Sequence, residues 1–203
     1  YNTIGVEEKD AVIDVINSGV LSDFLGSWSE KFYGGPKVKE FEYACKEKFN
    51  VKHAISVNSW TSGLICAVGA IDIEPGDEII LSPWTMSACA ASILHWGAIP
   101  IFADIEKETF NLDPKSIIKN ISPKSKAILA IDIFGHSCNI DEIKKIADDN
   151  NLKVITDSAQ APGSKNKGRV TGTLGDIGGF SLNYHKHIHT GEGLSLIHIS
   201  EPT

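Results

Sequence analysis

A lysine between histidines is the first candidate for chemistry in this chain. Lys186 lies in a stretch rich in Gly, Ser and His, with the sequence SLNYHKHIHTGEG (181–193). A lysine becomes a nucleophile when desolvation or neighbouring positive charge lowers its pKa from about 10.4, and protonated His185 and His187 would supply such charge. The stretch alone is compatible with a catalytic lysine and with an ordinary surface lysine.

Asp157 is the second candidate, because it ends a strand-like run in VITDSAQAPG (154–163). A carboxylate at a strand terminus commonly just caps the next turn. In a site that holds a pyridine ring, an ionised Asp157 would keep the ring nitrogen protonated, which makes pyridoxal phosphate an electron sink. That role needs a lysine nearby in the fold, and Lys186 would fill it.

A phosphate site is predicted where a strand runs into a helix through small hydroxyl residues, in VNSWTSGL (57–64). The free N–H groups of a helix N-terminus and the hydroxyls of Ser59, Thr61 and Ser62 are natural phosphate ligands. The same residue types also start helices that bind nothing. The sequence has no G-x-x-x-x-G-K-[ST] pattern, which argues against a nucleoside-triphosphate P-loop.

Three alternating histidines keep a metal site open as an alternative. On a strand, His185, His187 and His189 would share one face and could bind zinc. No cysteine or carboxylate stands near them with ligand spacing, and the TGEG that follows is typical of a loop.

Short apolar segments alternate with helical ones, which indicates the α/β fold that positions these residues. Strands are predicted at 53–57, 78–81, 99–103, 127–131 and 153–156. Helices are predicted at 6–17, 38–49, 62–71, 87–94, 114–120 and 140–150. This alternation is typical of a mainly parallel sheet with helices on both faces, in which ligands bind beyond the carboxyl ends of the strands.

Composition excludes several classes of function. The 203 residues are 42% hydrophobic and 22% charged, enough for one sizeable core, and the net charge of −7 argues against nucleic acid and anionic membranes as partners. No apolar run approaches the roughly 18 residues of a membrane span. Four irregularly spaced cysteines without a C-x-x-C pair are typical of reduced thiols and favour a cytoplasmic protein; they are Cys45, Cys66, Cys89 and Cys138.

The end of the chain looks foreign. Residues 194–203, with the sequence LSLIHISEPT, resemble the translation of a sequencing-library adapter, and we predict that they are not native. The alternative is a genuine C-terminus with a β-like run. The chain opens at Tyr1 and its single methionine is Met86, as expected of a fragment.

Five motifs together resemble the DegT/StrS family of pyridoxal-phosphate-dependent nucleotide-sugar aminotransferases. In chain order they are VNSWTSGL, GDEIILSPWTMSA (76–88), IPIFADIEKETFNLD (99–113), ITDSAQAPG and GDIGGFSLNYHKHIHTGEG. The resemblance covers nearly all of residues 1–193. It implies that this range is the large, pyridoxal-phosphate-binding domain of a fold type I transferase, truncated here, from an enzyme that works as a homodimer.

The resemblance also implies roles for single residues. Lys186 matches the lysine that binds pyridoxal 5'-phosphate covalently and then moves protons, Asp157 matches the partner of the ring nitrogen, and Gln160 lies beside the ring. The phosphate-binding set matches Thr61, Ser62 and Ser181.

Two positions depart from the family pattern at the cofactor ring. Trp60 stands where many members have a small residue, and Met86 stands where many have an aromatic residue that stacks on the ring. We predict that Met86 or Trp84 covers the ring, since a thioether can also pack on a ring face.

The implied reaction is the transfer of an amino group from a donor, typically glutamate, to a keto sugar carried on a nucleotide diphosphate, without a metal. Some relatives have histidine in place of the lysine and are sugar dehydratases, so Lys186 favours an aminotransferase. Family members continue into a smaller C-terminal domain that shapes the sugar pocket and the dimer, so we expect residues 1–203 alone to be inactive. The alternatives are a non-catalytic family member that binds the cofactor and the histidine metal site.

Overall fold

The computed structural model describes residues 4–191 and 194–198. Residue contacts divide the chain into two units, one up to Ala44 and one from Cys45 onward. The first unit contains helix α1 (Val6–Ser18) and a short 3₁₀ turn, and helix α2 (Pro36–Phe49) spans the boundary. Both helices agree with the sequence prediction.

Seven strands of the second unit form one sheet, in the order β1-β9-β8-β5-β4-β2-β3. Its strands are β1 (His53–Val57), β2 (Glu78–Leu81), β3 (Ile99–Phe102), β4 (Ser125–Ile131), β5 (Lys153–Asp157), β8 (Ile177–Ser181) and β9 (Leu194–His198). A separate small hairpin consists of β6 (Lys165–Asn166) and β7 (Arg169–Val170). Strands β3, β2, β4, β5 and β8 pair in parallel, while β9 runs antiparallel to both β1 and β8. The predicted mainly parallel sheet is confirmed.

Four helices of the second unit cover the two faces of this sheet. They are α3 (Trp60–Gly69), α4 (Ser87–His95), α5 (Pro114–Asn120) and α6 (Ile140–Asp149). Successive residues of β4 point to opposite faces. Leu129 belongs to a buried core that includes residues of α3 and α4, while Ile128 belongs to a second core that includes residues of α5 and α6. The helices on both faces, and with them the fold type I architecture, are confirmed.

Two strands of the sheet were not predicted. Strand β8 contains Gly178 and Gly179 and so lacks the apolar pattern that indicates a strand. A side chain at Gly178 would collide with the carbonyl oxygen of Gly172 and the hydroxyl of Thr156, so close packing requires glycine there. Strand β9 lies in the segment predicted to be foreign, and the origin of residues 194–203 stays a prediction.

None of the helices in residues 4–191 is long and apolar enough to cross a membrane.

Candidate active site

A pocket lies at the carboxyl ends of the parallel strands, where the sequence predicted ligand binding. It is lined by residues that follow β1 and β2 and by residues at or after the ends of β4, β5 and β8. Six of the eight predicted site residues line it: Thr61, Met86, Asp157, Gln160, Ser181 and Lys186. Because these six residues come from four segments that are distant in sequence, the fold itself assembles the site.

Lys186 follows β8 on a turn in which its backbone N–H donates to the carbonyl oxygen of Asn183 at 2.9 Å. Its side chain is half-buried and lines the pocket together with Asp157. Burial raises the pKa of Asp157, and the positive charge of Lys186 offsets part of that rise. Of its flanking histidines, His185 lines the same pocket and His187 does not.

Asp157 is the last residue of β5 and is only 6% exposed. Its Oδ1 accepts a hydrogen bond from the Ala159 N–H at 3.0 Å, and its Oδ2 accepts one from the Cys89 thiol at 3.2 Å. Burial raises the pKa of Asp157, and these two donors together with Lys186 offset part of that rise. A buried carboxylate with two donors is suited to face a cationic ring nitrogen.

Trp60 adds a polar group beside Asp157. Its indole is 7% exposed, and within the described part of the chain its Nε1 has no partner at hydrogen-bonding geometry. The indole N–H still lowers the pKa of Asp157 as a nearby donor. Trp60, which stands where the family resemblance implies a small residue in many members, lines the pocket.

The predicted phosphate-binding residues lie at the start of α3 and the end of β8. Ser59 caps α3, since its Oγ accepts from the Ser62 N–H at 3.2 Å. The hydroxyls of Ser59 and Ser62 are 3.1 Å apart, and Ser62 does not line the pocket. Thr61 is exposed at the pocket wall, and Ser181 ends β8 at the same pocket. The N-terminus of α3 and the hydroxyls of Thr61 and Ser181 therefore line the same pocket.

The residues predicted beside the cofactor ring divide into two groups. Gln160 lines the pocket, and its Oε1 accepts from the backbone N–H of Phe134 at 2.8 Å. Met86 also lines the pocket and is 65% exposed. Trp84 does not line it, and its ring lies 6.0 Å from that of Phe110. Of the two residues predicted to cover the ring, the structure brings only Met86 to the site.

Sequence reasoning missed two pocket residues, Cys89 and Thr85. Cys89 is 1% exposed in α4, and its sulfur lies 3.1 Å from the hydroxyl oxygen of Thr85. A signal was present, because both residues follow the end of β2, where ligands bind in sheets of this kind. The bond from Cys89 to Asp157 joins residues 68 positions apart, which no local pattern could indicate.

The three histidines do not form a metal site in the structure. Within residues 4–191, no group of three His, Cys, Asp or Glu side chains is placed to hold a metal ion. His185 instead has its ring 5.3 Å from that of Tyr184.

Comparison with known proteins finds an aminotransferase family that matches most of the chain. A family model described as the DegT/DnrJ/EryC1/StrS aminotransferase family matches residues 4–198. The chain is 40% identical over 190 residues to the spore coat polysaccharide biosynthesis protein SpsC of Bacillus subtilis, covering 94% of this chain and 46% of that protein. It is 41% identical over 186 residues to a GDP-perosamine synthase of Caulobacter vibrioides, covering 92% and 47%. The chain thus spans about half the length of these curated relatives.

Solved structures have the same fold. An aminotransferase from Psychrobacter cryohalolentis matches with a TM-score of 0.90 and 33% identity, covering 98% of this chain and 49% of that one. The Escherichia coli GDP-4-keto-6-deoxy-D-mannose-3-dehydratase with bound hydrated pyridoxal phosphate matches with a TM-score of 0.88 and 26% identity, covering 99% and 50%.

Proposed function

Because the chain belongs to the DegT/DnrJ/EryC1/StrS aminotransferase family, we propose that it forms the cofactor-binding part of an enzyme that transfers an amino group to a nucleotide-linked keto sugar. The single observation that carries this proposal is the meeting of Lys186 and Asp157 in one pocket at the carboxyl ends of the sheet. The cofactor of this family is pyridoxal phosphate, which one of the matching structures contains.

The residues of the pocket fit this cofactor in chemistry. Pyridoxal phosphate has an aldehyde, a basic ring nitrogen and a phosphate, and when bound it supplies an electron sink for breaking bonds at an amine-bearing carbon. The pocket offers a lysine, a buried carboxylate and a hydroxyl-lined helix N-terminus to these three groups; they are Lys186, Asp157 and the set of Ser59, Thr61 and Ser181.

In this proposal Lys186 Nζ holds the cofactor covalently and afterwards carries the proton that moves between cofactor and substrate. A half-buried lysine beside a pocket suits this work, since it can be reached by the substrate and partly shielded from water. Lys186 also supports amino transfer, because the family resemblance implies that some relatives with histidine in place of this lysine are sugar dehydratases.

Asp157 keeps the ring nitrogen protonated in this proposal, and its hydrogen bonds from Ala159 and Cys89 fix its orientation. Gln160 and Met86 would lie beside the ring, because both line the same pocket as Asp157 and Lys186. Gln160 is itself held by the Phe134 N–H, which orients the amide before the cofactor binds.

The names of the relatives support a more specific acceptor substrate. One relative is named for a GDP-linked product, and one matching structure is named for a GDP-linked keto sugar, which supports a nucleotide-diphosphate keto sugar as acceptor. We further propose glutamate as amino donor, a homodimer as the working form and the cytoplasm as its location. Since the chain spans about half of its relatives, we expect these 203 residues to be inactive alone.

The test is amino transfer by the full-length protein that carries this chain. Using glutamate and GDP- or TDP-linked keto sugars, we expect an aminated sugar nucleotide, and we expect Lys186→Ala to lower turnover at least about 1,000-fold. Lys165→Ala is the matched control, because Lys165 is exposed on β6 and lies outside the pocket. Full activity of Lys186→Ala would contradict the mechanism, and cofactor binding without turnover by the unmodified protein would indicate a non-catalytic family member.

A further inference from the structure

The carboxylate of Asp157 is held from two sides by donors of different kinds. Oδ1 accepts from the backbone N–H of Ala159, which follows on the same loop. Oδ2 accepts from the thiol of Cys89, which lies on α4. Because α4 belongs to one face of the sheet and Asp157 to a strand end, the thiol fixes the carboxylate relative to a separate element.

Thr85 extends this contact into a chain of hydrogen bonds. Its Oγ1 lies 3.1 Å from the Cys89 sulfur. A thiol has one hydrogen, and the Cys89 hydrogen is donated to the carboxylate, so the Thr85 hydroxyl must be the donor to sulfur. The chain therefore runs from the Thr85 hydroxyl through the Cys89 thiol to Asp157, and such chains strengthen the final bond.

The raised pKa of the Cys89 thiol keeps Cys89 as the donor and Asp157 as the acceptor of their hydrogen bond. Burial and the charge of Asp157 raise the pKa of the Cys89 thiol well above its usual range, so the thiol keeps its hydrogen at any working pH. In return the thiol lowers the pKa of Asp157 and opposes the effect of burial. A neutral donor of this kind favours the ionised carboxylate without adding a charge that would compete with a ring nitrogen.

We propose that Cys89 is a positioning residue that orients Asp157 toward the cofactor ring nitrogen and favours its ionised form. This inference rests on the proposed function, because it assigns a role to a residue that acts through Asp157. Amino transfer itself does not require a thiol, and the proposal assigns a role to buried Cys89 at the pocket.

The hydrogen bond can be tested without cofactor by infrared spectroscopy of the S–H stretch in the full-length protein. The spectrum of the wild type minus that of Cys89→Ser isolates the Cys89 band. We expect this band at lower frequency than the band of exposed Cys66, because donation to a charged acceptor weakens the S–H bond. In Asp157→Asn the acceptor is neutral and the band should shift upward; an unchanged band would overturn the inference.

A second test of the role of Cys89 measures the affinity of the full-length protein for pyridoxal phosphate. We expect Cys89→Ala to weaken pyridoxal phosphate binding about three- to tenfold, the size of one weak donor to a charged group. Cys89→Ser keeps a donor and should bind within about twofold of wild type. Cys138→Ala is the matched control, because Cys138 is an equally buried thiol outside the pocket, and it should leave the affinity unchanged.

The pH dependence separates positioning from a general loss of packing. Without its donor Asp157 has a higher pKa, so the defect of Cys89→Ala should grow as pH falls. Equal affinities of the Ala and Ser variants, or a defect independent of pH, would overturn the inference while leaving the proposed function intact. Failure of the wild type to bind the cofactor would instead overturn the proposed function.

Discussion

Two buried aspartates at the ends of neighbouring strands differ in their hydrogen-bond partners and in their position relative to the pocket. Asp132 follows β4 and Asp157 ends β5, and the backbone N–H of Asp132 donates to the carbonyl oxygen of Asp157 at 2.9 Å. Both are nearly inaccessible, at 2% and 6% exposure, and burial raises the pKa of both. Burial and position alone therefore do not distinguish them.

Their partners do distinguish them. Asp132 accepts from the Ser158 hydroxyl at 2.5 Å and from the Cys138 N–H at 2.9 Å, which ties the loop after β4 to the loop after β5. It does not line the pocket, whereas Asp157 lines it together with Lys186. We infer that Asp132 holds the loops in place and that Asp157 acts on the ligand.

Replacing Asp157 should have the largest effect, and it should act on catalysis. We expect Asp157→Asn to lower turnover about 100- to 1,000-fold, because it removes the charge opposite the ring nitrogen. The free energy of unfolding should change by no more than about 1 kcal/mol, since Asn has the same shape. Turnover and urea denaturation of one preparation measure both, and near-normal turnover would refute the catalytic assignment.

Replacing Asp132 should have its main effect on stability. Asp132→Ala leaves the Ser158 hydroxyl and the Cys138 N–H without their acceptor in a buried loop, which should cost about 2–4 kcal/mol of unfolding free energy. Affinity of the folded fraction for pyridoxal phosphate should stay near that of wild type. A variant of normal stability that fails to bind the cofactor would reverse the roles of the two aspartates.

Removing one donor to Asp132 should have a smaller effect of the same kind. Ser158→Ala deletes the shortest hydrogen bond that this carboxylate accepts, and we expect a loss of about 1.5–2 kcal/mol in urea denaturation. Ser164→Ala provides a comparison, since its hydroxyl donates to the neutral carbonyl oxygen of Gly135 at 2.7 Å. An equal or larger loss in Ser164→Ala would show that the charge of Asp132 is unimportant to its loop.

The smallest predicted effect is on pH dependence. A raised pKa means that folded Asp157 holds its proton more tightly than in the unfolded chain, where the value is about 3.9. The resulting stabilisation is complete below about pH 4 and is lost as pH rises through the folded-state pKa. In the cofactor-free protein Asp157→Asn cannot ionise at this position, so its free energy of unfolding relative to wild type should rise as pH increases above about 4. Parallel pH profiles would contradict this.

The sequence predicted much of the fold because its strands and helices have strong local patterns. The run at 153–156 has apolar Val154 and Ile155 at its centre, and it forms β5 with Asp157 as its last residue. Strand β8 was missed because packing against Gly172 and Thr156 demands glycine, which removes the apolar signal.

The site was predicted only in part for a related reason. The sequence named Lys186 and Asp157 because motif and chemistry pointed to the same residues, and the structure places both in the pocket. Asp132 and Cys89 were missed because their roles come from contacts with residues distant in sequence, as in the bond that Ser158 donates to Asp132. Trp84 was named from its aromatic ring, but its position is set by contact with Phe110 and not by the pocket.

The most direct test of the central claim is to locate the covalently bound cofactor. The protein is incubated with pyridoxal phosphate, reduced with borohydride and digested, and the labelled peptide is identified by mass spectrometry. We predict one stoichiometric label on Lys186, which is lost in Lys186→Ala and weakened in Asp157→Asn. A label spread over exposed lysines such as Lys165, with none on Lys186, would contradict the claim that this pocket is the cofactor site.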